Sequence, residues 1–164
     1  MAKLTRDLYV VLIDRNKILG NTEEGFDWVR LKKSRIFEFD FGAQTETFGY
    51  IDAPNDVSEI TGYEPSLPQE VVLDKDDPMF AMMDKFCMSF PIGSAAHVPF
   101  LLVRPSIDTG EPVVGLLWEE STIVPNNLAT IDGFLRFDIK PGGKMKKGTV
   151  TASEGTFVFA EDQA

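Results

Sequence analysis

The chain has 164 residues, 43% of them hydrophobic and 26% charged, and a formal net charge of −10. This length and composition favour a single domain over residues 1–164 and exclude collagen, coiled coils and disordered chains. One cysteine and one histidine are too few for a disulfide framework or a structural zinc site. The longest apolar run, residues 8–13, is far shorter than the ~18 residues of a membrane span or the span of a signal peptide.

The distribution of charge is uneven along the chain. Residues 1–35 carry eight basic and five acidic side chains, whereas residues 36–84 carry twelve acids and one base. Between residues 36 and 74 there are nine acids and no base. A nucleic-acid-binding surface gathers Lys and Arg against phosphates, so this segment predicts either a solvated acidic face or a surface that repels a polyanion.

Strand signals dominate the first half of the chain. Residues 8–13 are uninterrupted apolar residues, which predicts a strand at 7–13 that is buried on both faces. The clearest alternation places Phe37, Phe39 and Phe41 opposite Glu38 and Asp40, and predicts a strand with one aromatic and one acidic face. Further strands are predicted at residues 45–51, 57–63 and 69–73.

One helix is predicted, beginning at Asp77. Asp77 is a good N-cap and Pro78 suits the first helical position. An apolar stripe at helical spacing follows, made of Met79, Met82, Met83 and Phe86. We interpret the stripe as core, and Cys87 beside it as a structural thiol and not a nucleophile.

The second half of the chain again predicts strands, at residues 98–104, 112–118, 129–139, 148–152 and 156–160. Many short strands with frequent turns and one helix predict a mainly β fold, a β-sandwich or barrel with one flanking α-helix.

No enzyme signature is present. His97 has no serine or cysteine partner nearby in the sequence, and the acids at 74–77 lack the glycine and glutamate of a calcium loop. No glycine-rich phosphate loop follows a predicted strand. We therefore predict no catalytic residue, no cofactor and no metal.

Several short strings occur in a characteristic order. They begin at Trp28 and Lys32-Lys33 and continue through Thr45-Glu46-Thr47-Phe48-Gly49-Tyr50-Ile51-Asp52, Gly62-Tyr63-Glu64-Pro65-Ser66, Gln69-Glu70, Asp77-Pro78-Met79-Phe80, Pro91-Ile92-Gly93, Gly142-Gly143, Lys147-Gly148-Thr149-Val150-Thr151 and Gly155-Thr156-Phe157. As an ordered set they resemble the major tail tube proteins of long-tailed bacteriophages. The resemblance covers roughly residues 25–160 and leaves the N-terminal arm, about residues 1–25, outside it.

The resemblance implies a structural virion protein, with extended hairpins added to the β-sandwich. Six copies would form a ring, their hairpins would pair into an inner β-barrel, and rings would stack into a tail tube that conducts double-stranded DNA without specific binding. The implied partners are other copies of the chain and the tape-measure, tail-tip and terminator proteins, with no membrane. The protein would be made in the host cytoplasm and reside in the virion tail.

Under this interpretation the acid-only segment supplies an electronegative lumen. The candidate lumen-facing acids are Glu46, Glu59, Glu64 and Glu70, which lie in the predicted hairpin strands. Candidate contacts between rings or subunits are Asp52, Asp56, Lys144, Lys146 and Lys147.

Two other classes of function stay open on the sequence. A monomeric β-sandwich that binds a ligand such as carbohydrate would need an exposed aromatic platform, for which Trp28 and Trp118 are the candidates. A small hydrolase would use two of the many carboxylates. If the chain forms a tube, the tube of a bacteriocin-like or contractile injection particle is an alternative to that of a phage.

Overall fold

A computed structural model describes residues 9–20, 25–32, 34, 38–52, 54–105, 113–153 and 156–162. The strands are β1 (Val10–Asp14), β2 (Trp28–Arg30), β3 (Ala43–Phe48), β4 (Val57–Tyr63), β5 (Leu67–Val72), β6 (His97–Arg104), β7 (Val114–Ala129), β8 (Phe134–Lys140), β9 (Met145–Ser153) and β10 (Thr156–Glu161). The helices are α1 (Arg15–Leu19), α2 (Pro78–Met88) and a short 3₁₀ turn at Gly93–Ala96. The predicted mainly β fold is confirmed.

Eight strands form one antiparallel sheet, and β3 and β4 form a second sheet of two strands. The large sheet runs β10-β9-β7-β6-β1-β2, and β8 joins β7 to β5. Strand β7 links the two parts, because Val114 to Trp118 pairs with β9 while Thr122 to Ala129 pairs with β8. The sheet therefore has two arms, and their facing surfaces enclose the main core.

Strand β1 is buried on both faces, as its apolar run predicts. Val11 and Ile13 join the main core, whereas Leu12 joins a smaller core on the opposite face. The smaller core also contains side chains of β9 and β10, so that hairpin covers the second face. Gly115 makes this possible, since a Cβ there would collide with Val150.

Helix α2 closes the main core. Met79, Met82, Met83 and Phe86 are all buried in it, which confirms the prediction that the methionine stripe is a packing face. The Asp77 carboxylate caps the helix by accepting a hydrogen bond from the Met79 amide at 3.2 Å. Pro78 occupies the first turn, as predicted.

Replacing Asp77 with alanine is expected to lower the free energy of unfolding by about 1 kcal/mol, because the helix loses its side-chain cap. Urea denaturation followed by far-UV circular dichroism measures this change. The matched control is Asp76→Ala, which removes an exposed carboxylate from the same turn. Equal stability of the two variants would contradict the capping role.

Three predicted elements differ from the structure. The predicted strand at 37–41 is wrong for residues 38–41, the part that the structure describes, because Asp40 forms only an isolated bridge with Ser66. The predicted strand at 129–139 is broken by a turn at 130–133, where Gly133 has a φ of 84°. The strand predicted at 112–118 does not end at residue 118 but continues to Ala129 as β7, because its second half pairs with β8.

The prediction of one helix missed α1 and the 3₁₀ turn. Asp14 caps α1 by accepting from the Asn16 amide at 3.1 Å, and Gly20 ends it in the left-handed conformation. An Asp and a Gly six residues apart are the available signal for α1, and the same residues are equally typical of a turn. Predictions that involve residues 7, 8, 33, 35, 37, 112 and 155 lie partly outside the described residues.

Candidate assembly surface

The β3–β4 hairpin stands apart from the large sheet. Its strands pair in antiparallel register from Ala43↔Tyr63 to Phe48↔Val57. Every residue in the two strands is exposed except Gly62, which is half-buried. An isolated two-stranded hairpin is marginally stable in water, so this one needs a further surface to pack against.

The two faces of the hairpin differ in charge. Glu46 and Glu59 are directly opposite each other on one face, where like charges across a strand pair are unfavourable. Thr47 and Ser58 are opposite each other on the other face, with their hydroxyl oxygens 3.1 Å apart. Because neighbouring residues alternate between faces, the second face also carries Thr45 and Ile60, so the four strand residues on this face are uncharged.

Gly42 positions the base of the hairpin. Its φ is +59°, and a Cβ at this position would collide with the backbone carbonyl of Glu64. The Gly42 carbonyl accepts a hydrogen bond from the Glu64 amide at 2.9 Å. The close approach of the backbone at residue 42 to the backbone at residue 64 therefore requires a glycine at position 42.

An apolar groove of about 520 Å³ lies beside the hairpin base. Its lining includes Phe39, Phe41, Tyr63, Trp118 and Met145. The ring centroids of Phe39 and Trp118 are 6.1 Å apart, and those of Phe39 and Phe41 are 5.5 Å apart. Phe41 thus contacts Phe39, and Phe39 contacts Trp118 of the main core, beside the base of the hairpin.

The hairpin tip exposes apolar side chains together with acids. Ile51 is fully exposed and Tyr50 is 54% exposed. Asp52 and Asp56 flank them and are also exposed. The sequence analysis singled out the two acids but missed the two apolar residues. Tyr50 and Ile51 nevertheless belong to the string at residues 45–52 that carried part of the resemblance.

The candidate lumen acids do not all lie together. Glu46 and Glu59 share one face of the hairpin, and Glu64 is exposed at its base. The placement of Glu70 in the hairpin is wrong, because Glu70 lies on β5 opposite Arg136 of β8. Its Oε1 accepts from Arg136 Nε at 3.0 Å, and this hydrogen bond raises the pKa of the Arg136 guanidinium.

The three candidate lysines lie at the start of β9. Lys144 and Lys147 are exposed, whereas Lys146 donates to Glu119 Oε1 at 3.0 Å. This contact raises the pKa of Lys146. Lys146 is thus already paired within the chain.

The described residues hold neither a metal-ligand cluster nor a membrane-spanning helix, and Cys87 is a free thiol. No three His, Cys, Asp or Glu side chains there converge as metal ligands do. None of the described helices is long and apolar enough to cross a membrane. Burial, with a further contribution from Asp84, raises the pKa of Cys87 from 9.0 to about 11.

The native Cys87 thiol is therefore expected to react slowly with iodoacetamide at pH 9. About half of the thiols are ionised in the unfolded chain at that pH and about 1% in the native chain, so the rates should differ about 50-fold. Deprotonation favours the unfolded chain, so stability should fall as the pH rises from 9 to 11. Asp84→Asn should accelerate the reaction of the native thiol with iodoacetamide, because it removes a charge that raises the pKa of Cys87. Equal reaction rates for native and unfolded protein would refute the raised pKa.

No family model matches the chain, and no curated protein matches it. Among solved structures, the chain is similar to the sheath/tube terminator, in its extended state, of the extracellular contractile injection system PVC. That likeness has a TM-score of 0.47 and 7% sequence identity, over 90% of this chain and 97% of the terminator. The chain is also similar to the tube-terminating cap of the anti-feeding prophage AFP, with a TM-score of 0.45 and 11% identity, over 91% of this chain and 93% of the cap.

Proposed function

We propose that this chain is a structural protein of a phage-tail-like particle, whose copies assemble as hexameric rings stacked into a tail tube. The observation that carries the proposal is the exposed β3–β4 hairpin, whose outer edges pair with none of the described strands and whose residues are almost all exposed. The resemblance of the ordered sequence strings to tail tube proteins supports the same assignment. The role is non-enzymatic and particle-bound.

Edge pairing between copies would supply backbone hydrogen-bond partners for the outer edges of the hairpin. Unpaired strand edges are an aggregation hazard that proteins usually block with lysine, proline or a covering segment. Neither β3 nor β4 contains lysine or proline. If β3 of one copy pairs with β4 of the next, both edges of each hairpin are used, and a rotation that closes produces a barrel of hairpins without free hairpin edges.

The acidic face of the hairpin is assigned to the lumen of that ring. Glu46 and Glu59 repel each other across the strand pair, so their presence costs stability that a purely structural hairpin would avoid. Facing a lumen, they would repel DNA phosphates and prevent adhesion during transit. Glu64 joins them at the hairpin base, whereas Glu70 forms an ion pair with Arg136.

Negative-stain electron microscopy of the concentrated protein tests the proposal directly. We expect rings and hollow tubes with six-fold end views, alone or after addition of tape-measure and tail-tip proteins. Rings that never stack would instead indicate a chain that caps a tube. Monomers under all these conditions would refute the tube function and favour a ligand-binding module, for which the aromatic groove is the site to screen.

Replacing Glu46 and Glu64 together with lysine is expected to leave assembly intact but make the tubes bind DNA. A lysine at position 46 would lie opposite Glu59 and remove a repulsion, while the lumen would gain positive charge. Sedimentation of tubes with short double-stranded DNA should show binding that weakens as salt rises. The control is Asp76→Lys with Asp162→Lys, an equal charge change at exposed positions outside the hairpin. Equal DNA binding by the variant and the control would contradict the lumen assignment.

A further inference from the structure

The turn that follows helix α2 contains an unusual residue for its position. Ser89 is the C-cap of the helix, and Phe90 follows it with a φ of +51°. Among the described residues, Phe90 is the only one other than glycine with a positive φ. Glycine normally occupies this position, because a Cβ makes the left-handed conformation unfavourable. A phenylalanine here therefore costs stability that a glycine would not cost.

The side chain obtained at this cost makes few contacts within its own chain. Phe90 is 79% exposed, more than any other described aromatic side chain. Met88 and Ile92 beside it are also exposed, and no charged residue occurs between residues 86 and 96. Met88, Phe90 and Ile92 thus form an uncharged apolar projection, which we call the Phe90 knob.

The apolar groove beside the hairpin base matches the knob in chemistry. None of the residues that line this groove of about 520 Å³ is charged. Two aromatic side chains of the lining, Phe41 and Tyr63, are exposed. Covering them with another apolar side chain would remove apolar surface from water on both partners. The groove is therefore suited to an uncharged aromatic insert.

Other exposed apolar side chains fit this groove less well. Tyr50 and Ile51 at the hairpin tip precede Asp52, and Ile131 precedes Asp132. Inserting any of them would bring a carboxylate towards the apolar lining, which is unfavourable without a polar partner. The Phe90 knob carries no such charge.

The knob and the groove lie towards opposite ends of strand β7. Trp118 lines the groove, whereas Phe90 lies beside Leu128 in a small pocket. Trp118 and Leu128 are ten residues apart on β7, which corresponds to up to about 33 Å of extended strand. Arg136 lines the same small pocket, but it is already paired with Glu70. Because Phe90 does not line the groove of its own chain, a contact between them must be heterologous.

We propose that the Phe90 knob of one copy inserts into the apolar groove of a second copy, where Phe90 packs on Phe41 and Tyr63. Each copy has a net charge of −10, so two copies repel each other at long range and attract where uncharged apolar surfaces meet. The outer hairpin edges are assigned to neighbours within a ring, so this contact is assigned to copies in successive rings. The inference deepens the proposed assembly function, and its assignment to successive rings rests on that function.

Photo-cross-linking of the full-length chain tests the contact. The photoreactive residue p-benzoylphenylalanine replaces Phe90, which keeps an aromatic side chain in the knob, and mass spectrometry locates the attachment. We expect a product of two chains that is attached within residues 38–41 or 141–145. The matched control places the same group at Ile131, an exposed apolar position in the turn before β8, and should not label the groove. No two-chain product, attachment outside the groove, or a product that forms only with a different protein would overturn the proposal.

Two variants that each remove one half of the contact provide the second arm. Phe90→Gly removes the knob, and Met145→Glu puts a charge into the groove lining. Each should raise the concentration for half-maximal stacking of rings about tenfold or more, because an aromatic anchor in a pocket carries much of the binding energy of an interface. Phe90→Gly should not lower the urea midpoint of the monomer, since glycine suits the positive φ. Unchanged stacking of either variant would overturn the contact.

Mixing rings of the two variants gives a further check. One variant retains the groove and the other retains the knob, so the mixture should form pairs of rings and no tubes. Electron microscopy distinguishes single rings, pairs and tubes. A mixture that contains only single rings would overturn the contact.

The outcomes also separate this contact from the proposed function. Normal tubes from Phe90→Gly would leave the tube function standing and refute the knob contact. Two-chain cross-linking in the groove without rings or tubes would establish the contact and refute the tube.

Discussion

Replacing Gly42 with alanine is expected to abolish assembly while leaving the large sheet folded. A Cβ at residue 42 collides with the Glu64 carbonyl, and the φ of +59° is unfavourable for alanine by about 1–2 kcal/mol. Relief requires the hairpin base to open, which breaks the hydrogen bond from the Glu64 amide. The hairpin would then lose the orientation that pairing with a neighbour needs.

The measurement is assembly by electron microscopy together with urea denaturation of the monomer. The matched control is Gly62→Ala in the same hairpin, where a Cβ would meet only the Gln44 side chain at 3.9 Å and the φ is not positive. We expect control chains to assemble like the parent chain. Normal tubes from Gly42→Ala would remove the hairpin from the assembly surface, and global unfolding would show that it belongs to the core.

Phe137→Ala is expected to have the largest effect on stability, about 3–5 kcal/mol. Phe137 is 0% exposed and lies on β8, between Gln69 of β5 and Pro125 of β7. Its removal leaves a cavity where the two arms of the large sheet face each other. Neighbouring side chains are held by strand pairing on both sides, so the cavity cannot collapse freely.

Chemical denaturation measures this loss, with Phe41→Ala as the control. Phe41 is 69% exposed, so its truncation should change the free energy of unfolding by less than about 1 kcal/mol. A small effect of Phe137→Ala would contradict the placement of the main core. A large effect of Phe41→Ala would mean that the groove beside the hairpin stabilises the monomer.

Local patterns were sufficient where one face or one cap decides the structure. The apolar run before Asp14 predicted a strand buried on both faces, and Asp77-Pro78 with the methionine stripe predicted α2 and its packing face. Strand β4 begins and ends as predicted. In each case neighbouring residues in the sequence carry the whole signal.

Local sequence patterns were insufficient where the structure depends on pairing between strands that are distant in the sequence. Phe39 and Phe41 alternate as a strand does, yet Phe39 packs on Trp118 from a segment with one bridge. Nothing local to β7 reveals that its second half pairs with β8, and nothing local to Glu70 reveals Arg136 on another strand. These contacts depend on which strands become neighbours, which is decided by the packing of the whole chain.

The sequence by itself determined the mainly β class, the capped helix, the core stripe and an acid-only segment without a base from residue 36 to 74. Only the tertiary structure decided which of those acids share a face, that Glu70 is paired, and that Phe39 and Trp118 line one groove. The physical reason is that charge and periodicity are properties of neighbours along the chain. Exposure, ion pairing and clefts arise instead when distant strands meet.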